Sequence, residues 1–230
     1  MRHWEFDYAT EVWKEPVIVG VVLGDVIGRG GFREARKGKV GGNMNMVIKT
    51  YLSQSKEDIG IFGLTTERHG RLSIQMQSSA AYISSKFNER LMDPEIRFSY
   101  LTASLGEIMD GELKDEIAMI EPYVEGQFTK YVNNDGNINP AKTTNLFQDV
   151  AETLCHFSYE HSGMTLLIDL QGFGLQLTDP EIASVSTKEV LFCNGNNQKA
   201  AFKRFFEQHR CNKYCNEIGL NVVDFNAFLS

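Results

Sequence analysis

No run of about 18 apolar residues occurs in the 230-residue sequence, which excludes a membrane-spanning helix of ordinary length. The opening residues, Met1-Arg2-His3-Trp4-Glu5-Phe6-Asp7, lack the extended apolar segment of a secretory signal. Proline is scarce, with 5 residues, and there is no repeat, no low-complexity stretch and no Pro/Gly-rich linker. Any boundary is therefore expected to be a hinge inside one compact body. A basic surplus is also missing. Lys and Arg number 23 against 30 Asp and Glu, a formal net charge of −7. That balance argues against general binding to nucleic acid, which draws on positive charge. Cysteine is limited to Cys155, Cys193, Cys211 and Cys215. Without a secretory signal the chain is expected in the cytoplasm, where cysteines of this number point to metal binding before disulfides. What is present, 42% hydrophobic and 23% charged residues, is ordinary globular composition and excludes a disordered or fibrous chain.

Patterning places β structure first and helices later. Val17-Ile18-Val19 and Val21-Val22-Leu23 are rich in branched residues, and Gly28-Arg29-Gly30-Gly31 follows as a turn. A strand is expected at Met46–Tyr51 and another over 116–124. Apolar and small residues at three- and four-residue steps predict a long helix over 66–89, with Leu72, Gln75, Met76, Ser79, Tyr82, Ile83 and Phe87 facing inward. A second helix is expected over 142–161, with Leu146, Val150, Leu154 and Phe157 on one stripe. A strand is then expected at Met164–Leu170, and two short helices over 198–208 and 212–218. The order fits an α+β fold with a β-rich front lobe and a helical back lobe, and a ligand is expected in a cleft between them.

Four constellations could carry chemistry. Gly28, Gly30 and Gly31 would let a backbone approach a phosphate, although taken alone a plain hairpin turn is the better reading. Neither standard phosphate loop is present: Arg33 stands where Gly-x-Gly-x-x-Gly needs its last glycine, and Gly38-Lys39 is followed by Val40 rather than Ser or Thr. Lys49 sits in the middle of a β run about 18 residues after the glycine turn, the layout of a nucleotide-binding β lobe; a solvent-facing lysine is the plainer reading. Asp169 and Gln171, two apart in a strand expected to be extended, would point the same way, and Asp179 follows a short loop later. Two carboxylates and an amide suit a hard cation and phosphoryl transfer. Against this, Thr178-Asp179-Pro180-Glu181 also looks like a helix start. Last, Cys211 and Cys215 are expected on one helix face with His209 just ahead, three candidate zinc ligands. His156 is the best candidate for the fourth, with Cys155 and Cys193 as rivals.

Together and in this order the constellations resemble the alpha-kinases, atypical Ser/Thr protein kinases. The resemblance runs from about Gly28 to Leu220. It is strongest at Glu121–Asn134, His156-Phe157-Ser158-Tyr159-Glu160, Asp169-Leu170-Gln171-Gly172-Phe173-Gly174, Leu177–Ile182 and Phe205–Cys215. It implies a two-lobed protein-kinase-like fold filling 1–230, with a β-rich N-terminal lobe over about 1–120 and a zinc-containing, mostly helical C-terminal lobe over about 121–230. It implies ATP and Mg²⁺ as cofactors, a structural Zn²⁺, a protein substrate phosphorylated on Ser or Thr, and a module of a longer protein. Carried over by position, Arg33 and Lys49 would contact phosphates, and Glu121 and Tyr123 would meet the adenine. Asp169 would be the catalytic carboxylate, Gln171 a magnesium ligand, and Asp179 the second catalytic or metal-facing acid. His156, His209, Cys211 and Cys215 would hold zinc.

Two departures stand out. In Phe192–Ala201, Cys193, Gln198 and Ala201 occupy positions where the family pattern has glycine, so this loop is expected to select a different substrate. In the long helix, Ser73 stands where an acid is expected, which would leave Lys49 without a helix partner. The alternative to an active kinase is a nucleotide-binding pseudokinase or scaffold; the presence of Lys49, Asp169, Gln171 and Asp179 argues against it.

Overall fold

The structure, a computed structural model, describes residues 1–139, 146–184 and 198–223. Six strands come first: β1 (Arg2–Asp7), β2 (Val12–Trp13), β3 (Val17–Ile18), β4 (Val21–Arg29), β5 (Arg33–Val40) and β6 (Asn43–Tyr51). Helices α1 (Ser53–Ile61) and α2 (Thr66–Asn88) follow, then β7 (Ser99–Tyr100), β8 (Ser104–Glu107), β9 (Ile117–Pro122) and β10 (Phe128–Lys130). Helix α3 (Leu146–Ser162) leads into β11 (Thr165–Ile168), β12 (Gln171–Phe173), β13 (Gln176–Leu177) and β14 (Glu181–Ser184). Helices α4 (Gln198–Gln208) and α5 (Lys213–Glu217) are the last elements among the described residues.

The chain divides into two compact units, Met1–Ser78 with Leu101–Glu125, and Ser79–Tyr100 with Gly126–Ser230. The first is built on a sheet of order β2-β1-β8-β9-β6-β5-β4, with β3 paired to β1. Its centre is buried on both faces. Ile117 and Met119 of β9 join Trp4, Phe6, Tyr51, Leu105, Ile59 of α1 and Ile74 of α2 in one cluster. The alternate residues Ala118 and Ile120 join Met1, Val40, Ile48 and Ile108 in another. Period-two alternation between two buried faces is why β9 reads as an unbroken apolar run, Ile117-Ala118-Met119-Ile120.

Helix α2 forms where expected, but its buried stripe is rotated from the expected one. Tyr82 is 58% exposed, whereas Ile74, Ala80, Ser84 and Phe87 are buried together with His69, Ser73 and Gln77. The last three stand four residues apart, so they share one helix face. Each is polar and each finds a polar partner across the unit, which is what permits its burial.

The second unit holds a four-stranded sheet, β10-β12-β13-β7, and the antiparallel pair β11-β14. Val150, Leu154 and Phe157 of α3 are buried as the stripe predicts, but Leu146 is 44% exposed at the helix start. Leu166, Leu167 and Ile168 of β11 and Phe202 and Phe205 of α4 complete an apolar core. Strand β11 ends at Ile168, short of the expected Leu170, because Asp169 takes φ 53°, a left-handed conformation no strand continues through. Glu181 opens strand β14 rather than a helix.

Candidate functional site

In the first unit, antiparallel register places Lys49 of β6 between Ala35 of β5 and Met119 of β9. Its ammonium lies 2.6 Å from Glu121 Oε2, with the two side chains 12% and 2% exposed. Lys49 therefore has an acidic partner, and the partner comes from strand β9 instead of a helix. The Glu121 side chain is engaged: besides Lys49, the Gln77 Nε2 group donates to its Oε1 at 3.3 Å. Ser73, in place of an acid, accepts from Arg33 Nη2 at 3.0 Å. The same guanidinium nitrogen donates to Tyr51 Oη at 2.9 Å, and Tyr51 Oη in turn contacts His69 Nδ1 at 2.9 Å. Burial, reinforced by the Arg33 charge, pushes His69 down to about 4, so its imidazole is neutral. Tyr123 is half-buried just beyond β9; its N–H donates to the Asn45 carbonyl and its ring lies 3.8 Å from the Lys37 ammonium.

The glycine cluster closes the β4–β5 hairpin, with Gly30 N–H donating to the Arg33 carbonyl at 2.9 Å. Neither Gly28 nor Gly31 takes a left-handed φ, and a β-carbon at either would meet nothing within 4 Å. The fold itself thus places no demand for glycine at these two positions.

In the second unit, Asp169, Gln171 and Asp179 come together. Gln171 Nε2 donates to Asp169 Oδ2 at 3.0 Å and to the backbone carbonyl of Asp179 at 3.1 Å. The contact does not arise from extended chain, as the spacing suggested. Asp169 and Asp179 both have left-handed φ, 53° and 46°, which aspartate tolerates better than most residues. Gly172 lets the loop fold tightly, since a β-carbon there would run into the Gln176 carbonyl oxygen. Lys130 of β10 lies 2.6 Å from Asp169 Oδ1. Burial raises the Asp169 carboxyl above the ordinary range; the Lys130 ammonium opposes this and the Asp179 charge adds to it. Glu181 is pushed up to about 8, first by burial and then by the Asp169 charge, with Lys130 opposing. It therefore holds a proton at neutral pH.

Also in the second unit, His156, His209, Cys211 and Cys215 present ligand atoms that all lie within 4.8 Å of one another. Cys155, a rival for the fourth ligand, is buried but stands outside the cluster; Cys193 lies outside the described residues. Cys211 precedes helix α5 rather than sharing a face of it, because Asn212 caps the helix by accepting from Tyr214 and Cys215 N–H. The donor set fits zinc. Burial, with His209 nearby, pushes His156 down to about 4, the neutral form a metal requires, whereas for His209 burial is outweighed by Cys215 and Glu152, which raise it to about 9, so His209 would have to release a proton to bind a metal. His156 Nε2 is buried with no hydrogen-bond partner, and 3.9 Å to Glu160 is too long for one. His209 Nδ1 contacts Glu152 Oε2 at 3.2 Å, the carboxylate support commonly found behind a metal-binding imidazole.

Comparison with known proteins decides what this arrangement belongs to. The alpha-kinase family model matches residues 28–215. The chain belongs to the alpha-kinase family.

This alpha-kinase chain is 34% identical over 152 residues to myosin heavy chain kinase B of Dictyostelium discoideum, covering 66% of this chain and 20% of that protein. Alpha-protein kinase 1 of the same organism is 28% identical over 229 residues, 97% of this chain and 16% of that protein. Transient receptor potential cation channel subfamily M member 7 of Rattus norvegicus is 35% identical over 188 residues, 79% of this chain and 10% of that protein. The chain spans a fifth or less of each of these relatives. Its fold matches the crystal structure of the alpha-kinase domain of myosin-II heavy chain kinase A in complex with AMP-PNP, with TM-score 0.79 and 22% identity over 96% of this chain and 95% of that one.

Sequence reasoning missed three side chains of this alpha-kinase. Lys130 lies in the Glu121–Asn134 stretch that carries the resemblance, and its place before Tyr131 gave no sign of Asp169. Glu152 stands four residues before His156, a spacing that puts both on one face of α3. Gln77 had no signal at all beyond its helix position. Of the loop 192–201, residues 192–197 lie outside the described residues, and Gln198 to Ala201 open helix α4.

Proposed function

We propose that this chain is the catalytic module of a protein serine/threonine kinase, which transfers the γ-phosphoryl group of Mg-ATP to a protein. The observation that carries this reading is the meeting of Asp169, Gln171 and Asp179 at one loop with Lys130 beside them. Two carboxylates and an amide are hard oxygen donors, and they would hold Mg²⁺, which supplies charge neutralisation to the phosphoryl group. Asp169 is assigned as the acceptor of the hydroxyl proton: burial raises its basicity, and the Lys130 ammonium opposes that rise. Lys49 and Arg33 are assigned to the phosphates and Tyr123 to the adenine. Glu121 serves the nucleotide through Lys49, since its carboxylate is already engaged. Close approach of a phosphate to the backbone is a reason for Gly28 and Gly31 that the fold does not provide.

His156, His209, Cys211 and Cys215 would hold a structural zinc ion, which supplies a cross-link between α3 and the segment around α5. Thiolate ligands of this kind persist in a reducing compartment, which supports a cytoplasmic setting. A protein substrate and a longer parent chain complete the reading. Its test is transfer from labelled ATP to degenerate Ser- and Thr-containing peptides. The wild-type chain is expected to label them, and Lys49→Ala, while still folded, to lose about 100-fold or more in rate, the scale of removing one charged stabiliser. Equal labelling by a folded Lys49→Ala protein would overturn the assignment.

A further inference from the structure

The buried polar stripe of α2 contains, in Gln77, a residue whose bonding goes beyond satisfying its own burial. Gln77 is fully buried, and its amide nitrogen has two neighbours, the Leu101 carbonyl oxygen at 2.5 Å and Glu121 Oε1 at 3.3 Å. Both neighbours are acceptors, so only the NH₂ end of the amide can face them; turned over, its oxygen would oppose two oxygens. The orientation of Gln77 is therefore determined by its surroundings. One N–H anchors it to the backbone, and the other is directed at the carboxylate.

That carboxylate is divided between two donors. Oε1 takes Gln77 and Oε2 takes the Lys49 ammonium at 2.6 Å. A buried carboxylate with a lysine as its sole partner would turn both oxygens toward the ammonium, because each oxygen seeks a donor in a medium that offers no water. Gln77 holds one oxygen while the lysine meets the other. It fixes the plane of the carboxylate and with it the point from which Lys49 reaches out.

We infer that Gln77 is the positioning residue for the Lys49 ammonium, acting through Glu121 and linking α2 to the phosphate-contacting lysine. The inference rests on the assignment of Lys49 to nucleotide phosphates. It gives α2 the part an acid on the helix would play, through a neutral amide one turn beyond Ser73. An amide adds no negative charge, so the ammonium is oriented without being neutralised a second time.

The test is calorimetric titration of a non-hydrolysable ATP analogue with Mg²⁺ into the full 230-residue chain, with thermal melts of the same samples. Gln77→Met keeps the volume and removes both N–H donors. It is expected to weaken nucleotide binding about tenfold. Lys49→Met is expected to weaken it at least as much, and the double variant no more than Lys49→Met alone, because Gln77 acts only through the lysine. A structural role would instead lower the melting temperature in both backgrounds and leave affinity unchanged. Ser84→Ala, which removes a buried bond from the same helix to the Phe98 carbonyl, is the control for that behaviour. Where Gln77→Met melts too low for titration, Gln77→Glu keeps the shape and sets a carboxyl against Glu121 and the Leu101 carbonyl, and it too is expected to weaken binding about tenfold. Wild-type affinity in whichever Gln77 variant is folded, with Lys49→Met weakened, overturns the role of Gln77 alone. Wild-type affinity in Lys49→Met overturns the nucleotide assignment and this inference with it.

Discussion

Two ammonium–carboxylate contacts of the same length, 2.6 Å, sit in different surroundings. Lys49–Glu121 belongs to regular β-ladder in the first unit, with side chains 12% and 2% exposed, and a neutral amide holds the second carboxylate oxygen. Lys130–Asp169 belongs to the second unit, where the acid stands on a left-handed residue and the lysine is 35% exposed. Its carboxyl is lifted by burial and crowded by Asp179, and Glu181 nearby stays protonated. The difference is between a carboxylate with a donor on each oxygen and a carboxyl raised by burial on a left-handed residue. Regular strands suit the first because they fix both partners to a common ladder. A strained loop suits the second because it lets several polar groups converge on one point.

The largest effect is expected in the second unit, from loss of the proposed zinc. Structural zinc contributes on the order of 10 kcal/mol in isolated zinc-finger peptides, and a larger core shares the load here. Cys215→Ser is expected to abolish stoichiometric zinc and to melt the second unit early, whereas Cys155→Ser, outside the ligand set, should retain the metal. Metal content by mass spectrometry and calorimetric melts report both. A zinc-free wild-type protein with full activity would remove zinc from the account.

A smaller change separates the two acids. Lys130→Met takes away the charge that opposes the rise of the Asp169 carboxyl. The acid limb of the pH–rate profile, which marks protonation of the proton acceptor, is then expected to move to higher pH. An acid limb unmoved in active Lys130→Met protein would mean that Asp169 is not the group being titrated.

The smallest effect belongs to the first unit. His69 has a folded value of about 4 against an ordinary value of 6.5. The unfolded chain therefore binds the extra proton first. The stability His69 contributes is present above about pH 6.5 and is lost as pH falls toward 4, at most about 3 kcal/mol. Chemical denaturation of wild type and His69→Gln across that window should give a shallower pH slope for the variant. Identical slopes would mean that His69 is not held neutral.

How much of this was legible in the sequence follows the same division. The strands around Lys49 and the clustering of His156, His209, Cys211 and Cys215 could be read because branched residues and metal-binding residue types announce themselves. The first two strands, β1 and β2, were passed over: β1, Arg2–Asp7, alternates charged and aromatic residues, a mixed pattern that reads as polar. The face of α2 was misjudged because His69, Ser73 and Gln77 are polar, and their burial depends on partners such as Tyr51, Arg33 and Glu121, far away in sequence. No periodicity reports a hydrogen bond across 44 residues, as between Gln77 and Glu121. Helical spacing likewise placed Cys211 on a helix that the Asn212 cap starts one residue too late to include.

The most direct measurement of the central claim is single-turnover phosphoryl transfer by Asp169→Ala protein saturated with Mg-ATP, beside wild type and with nucleotide affinity measured in parallel. The account predicts that affinity stays within about threefold while the rate of the chemical step falls by about 1,000-fold or more, because the acid acts on the reacting hydroxyl more than on the bound nucleotide. Transfer at the wild-type rate by a folded, nucleotide-saturated Asp169→Ala protein would contradict it.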